Sequence, residues 1–132
     1  MKETRIVWNE PQLDILLKQP EGAVGKNLRK RANVVLAAAR LQVGVDTGRL
    51  KASLRIQSQE RDFRGQFVKV GSKVDYALMH HNGTRPHIIT PKRAQMLAFV
   101  SKGRVIYATS VRHPGTKPNR YLTDNLYLAL KD

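Results

Sequence analysis

Val24-Gly25-Lys26-Asn27-Leu28-Arg29-Lys30-Arg31-Ala32-Asn33-Val34-Val35-Leu36-Ala37-Ala38-Ala39-Arg40-Leu41-Gln42-Val43, followed by Gly44, decides the architecture. Wound at about 100° per residue, it puts Val24, Leu28, Ala32, Val35, Leu36, Ala39 and Val43 on one arc. Lys26, Arg29, Lys30, Asn33 and Arg40 form a basic stripe opposite, so the stretch predicts a long helix with one face in a core and the other in water. Gly44 stands where a left-handed C-terminal cap is expected. Val34, Ala38 and Leu41 make a second apolar strip, interrupted by Arg31 and Gln42. One small sheet covers one face of a helix, so this strip must meet another element of the chain or a second subunit.

Upstream, Thr4 to Trp8 alternates enough to predict a short strand. Asn9-Glu10-Pro11 predicts a helix start, with Asn9 as cap and Pro11 in the first turn, for a short helix through Leu17 that Pro20-Glu21-Gly22 breaks. Downstream, the period changes to short extended runs at Leu54 to Gln59, Gln66 to Val70, His87 to Thr90, Met96 to Val100 and Arg104 to Val111. Ser101-Lys102-Gly103 joins the last two as a hairpin. Tyr121 to Lys131 returns to helical spacing, with Asn119 as a candidate cap and Leu122, Leu126, Ala129 and Leu130 on one side. The fold class is therefore α+β: a long N-terminal helix packed on an antiparallel sheet, with a short C-terminal helix. Residues 1–132 are expected to form a single domain, without repeat, low-complexity segment or linker.

A chain of 132 residues buries roughly two thirds of its extended surface, enough for one core. No run approaches the ~20 apolar residues that cross a bilayer, and Met1 to Trp8 lacks a secretion signal's apolar stretch, so the expectation is a soluble chain without a membrane partner. With no cysteine, disulfides, thiolate zinc sites, iron–sulfur clusters and Cys nucleophiles are all excluded. There are 24 Lys and Arg against 10 Asp and Glu, a net charge of +14 that favours polyanions or acidic protein surfaces as partners. Residues 1–44 and 45–90 each net +4 and residues 91–132 net +6, so the charge is spread along the chain without a basic tail.

Four clusters could carry chemistry. Asp46-Thr47-Gly48 is the triplet with which aspartic proteases present a carboxylate, and a retroviral-type homodimer would pair two of them. Arg49 and Lys51 stand directly after it as cations, and the competing reading is that Asp46 or Thr47 caps a short helical turn carrying Leu50, with Gly48 easing the bend. The histidines His80, His81, His87 and His113 include no spacing that places two imidazoles on one ion, because neighbours point apart on either a strand or a helix. They read as polar loop histidines, and no metal or cofactor is expected. The basic stripe Lys26, Arg29, Lys30 and Arg40, with Arg85, Lys92, Arg93, Arg104, Arg112, Lys117 and Arg120, could neutralise phosphates. Neither aromatic-basic interleaving nor a helix-turn-helix spacing accompanies it, so a small basic nucleic-acid-binding protein is the alternative function, through non-specific contact. The fourth cluster is structural. Tyr76 to Lys92 runs into a loop where Gly83 can take positive φ and Pro86 and Pro91 fix φ, and Pro114-Gly115 in His113 to Pro118 suits a type II turn. Stiff loops of this kind present surface to a partner.

These residues, taken in order, resemble a known family. Asp46-Thr47-Gly48-Arg49-Leu50 with Ser53-Leu54, Tyr76-Ala77 followed by Gly83-Thr84 and Pro86, Pro91-Lys92 with Leu97-Ala98-Phe99, His113-Pro114-Gly115-Thr116 and Tyr121-Leu122 are similar to the neck family of long-tailed bacteriophages. These are the tail-completion, head–tail joining or minor tail component proteins. The resemblance covers Val45 to Leu130, and five weak motifs in the right order reinforce one another. His81 stands where the family usually has Glu, and Tyr121 where it usually has Phe. The resemblance implies a virion protein at the head–tail junction, assembled in the bacterial host cytoplasm into a ring, commonly sixfold, with neither catalytic activity nor a small-molecule substrate. Adjacent connector or stopper and tail-terminator proteins would be its partners, with non-specific contact to channel DNA. The expected interface loops hold His80, His81, Gly83, Thr84, Arg85, Pro86, His113, Pro114, Gly115 and Thr116. Lys26, Arg29, Lys30 and Arg40 are the expected contacts to channel DNA or to an acidic partner.

Overall fold

The computed structural model describes residues 3–131. Helix α1 (Glu10–Lys18) is capped as its sequence predicts. The Asn9 side chain accepts the Gln12 N–H at 3.3 Å, and Pro11 lies in the first turn, where its missing N–H costs nothing. Helix α2 (Ala23–Gln42) follows after a tight reversal. There a Cβ on Gly22 would lie 2.1 Å from the Ile15 carbonyl oxygen, so only glycine lets the two helices approach so closely. Of the arc, Ala32, Val35, Leu36, Ala39 and Val43 are buried, while Leu28 is half-buried and Val24 exposed near the start of the helix. In the second strip Ala38 is half-buried, but Val34 and Leu41 stay exposed, Leu41 at 84 %.

Helix α3 (Arg49–Ser53) leads into the antiparallel pair β1 (Arg55–Asp62) and β2 (Gly65–Gly71), on which α2 packs. The core holds Leu36, Ala39, Val43, Leu50, Leu54, Ala77 and Tyr121, with Ile56, Val70, Val74 and Leu122 against it. Tyr121 is 1 % exposed and donates its hydroxyl to the Ala77 carbonyl at 3.2 Å. Burial raises the Tyr121 hydroxyl above its ordinary pKa, because the phenolate is the form that loses water. Further on come α4 (Ala77–Asn82), the ladder of β3 (His87–Ile89) with β6 (Val111–His113), the hairpin of β4 (Leu97–Ser101) with β5 (Arg104–Ala108), and a C-terminal 3-10 helix (Thr123–Leu130). The described residues form two compact units, 3–77 with 120–131, and 78–119.

The class is α+β, with the long helix and the short C-terminal helix in their expected places. Several local expectations are corrected. Residues 3–9 form no strand, because Ile6, Val7 and Trp8 lie exposed without a ladder to join. Gly44 is not the cap of α2, which ends at an extended Val43. Neither Asp46 nor Thr47 caps α3, since the cap position falls on Gly48, at φ 77° and with no side chain to offer. Asn119 does not cap the last helix; its backbone N–H is given to the His80 carbonyl at 3.2 Å, and Leu122 takes the cap position. The extended residues make three two-stranded sheets rather than one, and the Arg104 to Val111 run is broken into β5 and β6 at Thr109-Ser110. His80 and His81 lie on helix α4, not in a loop.

Candidate protein-interaction site

In residues 78–119, the two stiff loops prove to be halves of one clasp. The β3–β6 ladder sets His87 opposite His113, Ile88 opposite Arg112 and Ile89 opposite Val111. Beyond it, Thr84 and Thr116 exchange backbone bonds in both directions, at 3.0 and 3.1 Å, and their hydroxyls stand 3.1 Å apart. Gly83 (φ 72°) and Gly115 (φ 86°) occupy the left-handed region on the two sides of this bridge. A Cβ on Gly83 would lie 2.5 Å from the Thr116 carbonyl oxygen, and one on Gly115 would lie 2.2 Å from that of Thr84. Each loop therefore needs a bare backbone where the other touches it.

The histidines belong to the same clasp. His87 and His113 rings are 5.1 Å apart. His87 Nδ1 donates to the Arg85 carbonyl at 2.9 Å, whereas His113 Nδ1 accepts the Gly115 N–H at 3.0 Å, so the two rings are held as different tautomers. The His80 carbonyl receives Asn119, and His81 Nδ1 pairs with Asn82 Oδ1 at 2.7 Å. Among the described residues no group of three or more His, Cys, Asp or Glu could hold a metal ion. Arg85, Pro86, Pro114 and Thr116 remain exposed on the clasp. All ten residues expected in the interface loops thus fall in or beside it.

The basic stripe lies on α2, in the other unit. Arg29 pairs with Glu21 at 3.0 Å, which lowers the Glu21 pKa chiefly through that hydrogen bond. Arg40 donates to the Leu54 carbonyl and so fastens α2 to the start of β1. Lys26 and Lys30 are both exposed. Asp46 sits in an exposed bend.

Reading the chain run by run misses the strongest feature of residues 78–119. None of these residues is buried, although they include Leu78, Met79, Ile88, Phe99, Val100, Val105, Ile106 and Tyr107. In the β4–β5 hairpin, Phe99 is paired with Ile106 on one face, while Val100 and Val105 with Tyr107 share the other, as the alternation of a strand requires. Lys102 (φ 50°) and Gly103 (φ 74°) form its two-residue turn. This is the left-handed pair that matches strand twist. Alternation points half of each strand inward only when a core exists; here both faces are apolar and both are open. The signal was present as two uncharged runs flanking one turn.

Among the described residues no helix is long and apolar enough to cross a membrane. Neither the curated proteins nor the solved structures give a match. A family model described as "Bacteriophage HK97-gp10, putative tail-component" matches residues 12–80, just over half of the chain, from α1 through the core strands into α4. The chain belongs to this HK97-gp10-like family of bacteriophage tail components.

Proposed function

We propose that the protein is a structural subunit of the virion neck, set as a ring at the head–tail junction and acting by contact alone. One observation supports this above the others: residues 78–119 are ordered by hydrogen bonds yet include no fully buried residue, as in a unit whose apolar cover arrives with assembly. Identical copies would meet through unlike surfaces, the open Val34 and Leu41 strip of α2 on one and the clasp on the next, a heterologous contact that closes into a ring. Sixfold closure is the expectation, with connector or stopper and tail-terminator proteins above and below. Pro86, Pro114 and the Thr84–Thr116 bridge keep the loops stiff and so lower the entropy lost on docking. Lys26 and Lys30 are available for non-specific contact with channel DNA or with an acidic neighbour.

Quantitative mass spectrometry and imaging of purified particles test the reading. The polypeptide is expected in several copies per particle, at the collar between capsid and tail. Its absence from particles, or its presence only along the tail shaft, overturns the proposal.

A further inference from the structure

Residues 78–119 hold seven of the chain's 24 cations, all four of its histidines and none of its 10 carboxylates. The β4–β5 ribbon carries much of the exposed apolar surface of this unit, through Phe99, Val100, Val105, Ile106 and Tyr107. Residues 97–100 and 105–108 are uncharged, while Lys102 sits in the turn, Arg104 opens β5 and Lys92 and Arg93 precede β4. The sheet has two strands, so each outer edge lacks a ladder partner among the described residues. Monomeric proteins blunt such edges with charge, proline or a bulge along the strand, and beyond Arg104 at the turn end of β5 this ribbon has none of these. Val100 is 71 % and Tyr107 68 % exposed on the same face.

We propose that this ribbon inserts into an apolar cleft rimmed by Asp and Glu on a different virion protein. The inference rests on the virion reading above and adds the chemistry of the partner. A second copy of the chain fits the ribbon poorly. Outside residues 78–119 there remain 17 cations against 10 carboxylates, a net of +7, so neither unit of a second copy offers a surplus of carboxylates. Asp14, Glu21 and Glu60 are moreover already engaged, with Lys18, Arg29 and Lys69. DNA would satisfy Lys102 and Arg104 but leave Phe99, Val100, Val105 and Ile106 in water. A lipid interior would strand the unpaired N–H and C=O groups of both edges. An acidic protein cleft meets all three demands: strands or side chains for the edges, apolar walls for the faces and carboxylates for the cations.

The test uses the full chain in infected cells that are making particles. A photo-reactive side chain replaces Val100 in one version and Tyr107 in another, and the peptide captured on irradiation is identified. The expected adduct is a segment of another phage-encoded protein in which Asp and Glu outnumber Lys and Arg. The double variant Lys102→Glu with Arg104→Glu, at exposed positions in and beside the turn, is expected to keep its circular dichroism and to lower adduct yield by roughly tenfold. An adduct with this chain, nucleic acid or lipid, the lack of any adduct, or a yield indifferent to the double variant overturns the inference. Absence of the chain from purified particles is read separately and overturns the virion reading, while the identity of the adduct still decides the partner's chemistry.

Discussion

Gly83 and Gly115 show how much of the clasp rests on atoms that are not there. Each has a left-handed backbone and a neighbouring carbonyl oxygen where a Cβ would go. Gly83→Ala and Gly115→Ala therefore each add backbone strain of about 1–2 kcal/mol before any clash is counted. The expected outcome is loss of protection at the Thr84 and Thr116 amides in hydrogen exchange, with the α2 amides unchanged. Preserved protection in either variant would show that the loops are not held by this contact. Glycine at these positions was legible in the sequence as a turn former. Its reason was not, because Thr84 and Thr116 are 32 residues apart and nothing in one chain pairs them. Tyr121 poses a different residue-scale question, since burial raises its hydroxyl pKa. The folded state then holds the proton over a range where the unfolded chain has lost it. Stability from this group is full below the ordinary value of about 10 and is lost as pH rises through the higher folded value. Tyr121→Phe removes the bond to the Ala77 carbonyl. It is expected to cost about 1 kcal/mol at neutral pH and to weaken the alkaline limb of unfolding. Melting temperatures from neutral to strongly alkaline pH check both; an unchanged alkaline limb would rule out the assignment.

At the scale of elements, α2 has two apolar strips with opposite fates. Leu36 is in the core. Leu36→Ala is expected to cost about 2–5 kcal/mol in denaturant unfolding, as a large-to-small change in a packed site. Leu41 touches water. Leu41→Ala is expected to change stability by no more than about 0.5 kcal/mol, as exposed substitutions do, while reducing incorporation into particles. Equal stability losses in the two variants would mean that the second strip is also buried within the fold. Helical period identified both strips because side-chain direction follows from the turn of the helix without knowledge of the neighbours. Period could not say which strip is covered. Elements that depend on a distant partner fared worse. The expected strand over Thr4 to Trp8 has propensity but no ladder, and Asn119 has capping chemistry but lies three residues before the cap position, which Leu122 takes. A cap or a strand is completed by a second group, and a residue type states only half of that bond.

For the whole molecule, charge and burial are divided along the same line. Between Asp75 and Asp124 no carboxylate occurs, a run that division of the sequence into thirds conceals. Within it lies the unit that has no buried residue. A core built from Leu36, Leu54 and Tyr121 resists opening in proportion to the apolar surface that opening exposes. The β4–β5 ribbon has nothing comparable to expose, so its opening costs little more than its own ladder and turn. Hydrogen exchange of the free protein is therefore expected to separate two classes of amide. Those of residues 32–43 should exchange only with global unfolding, and those of residues 97–108 should exchange faster by several orders of magnitude. In assembled particles the second class should slow toward the first, because a covering partner supplies the edges and walls that the isolated chain lacks. If residues 97–108 are already as protected as α2 in the free protein, the ribbon is stabilised from within, and the reason for seeking a cover disappears. If they stay fast in the particle, the partner docks elsewhere, and the open apolar faces need another explanation.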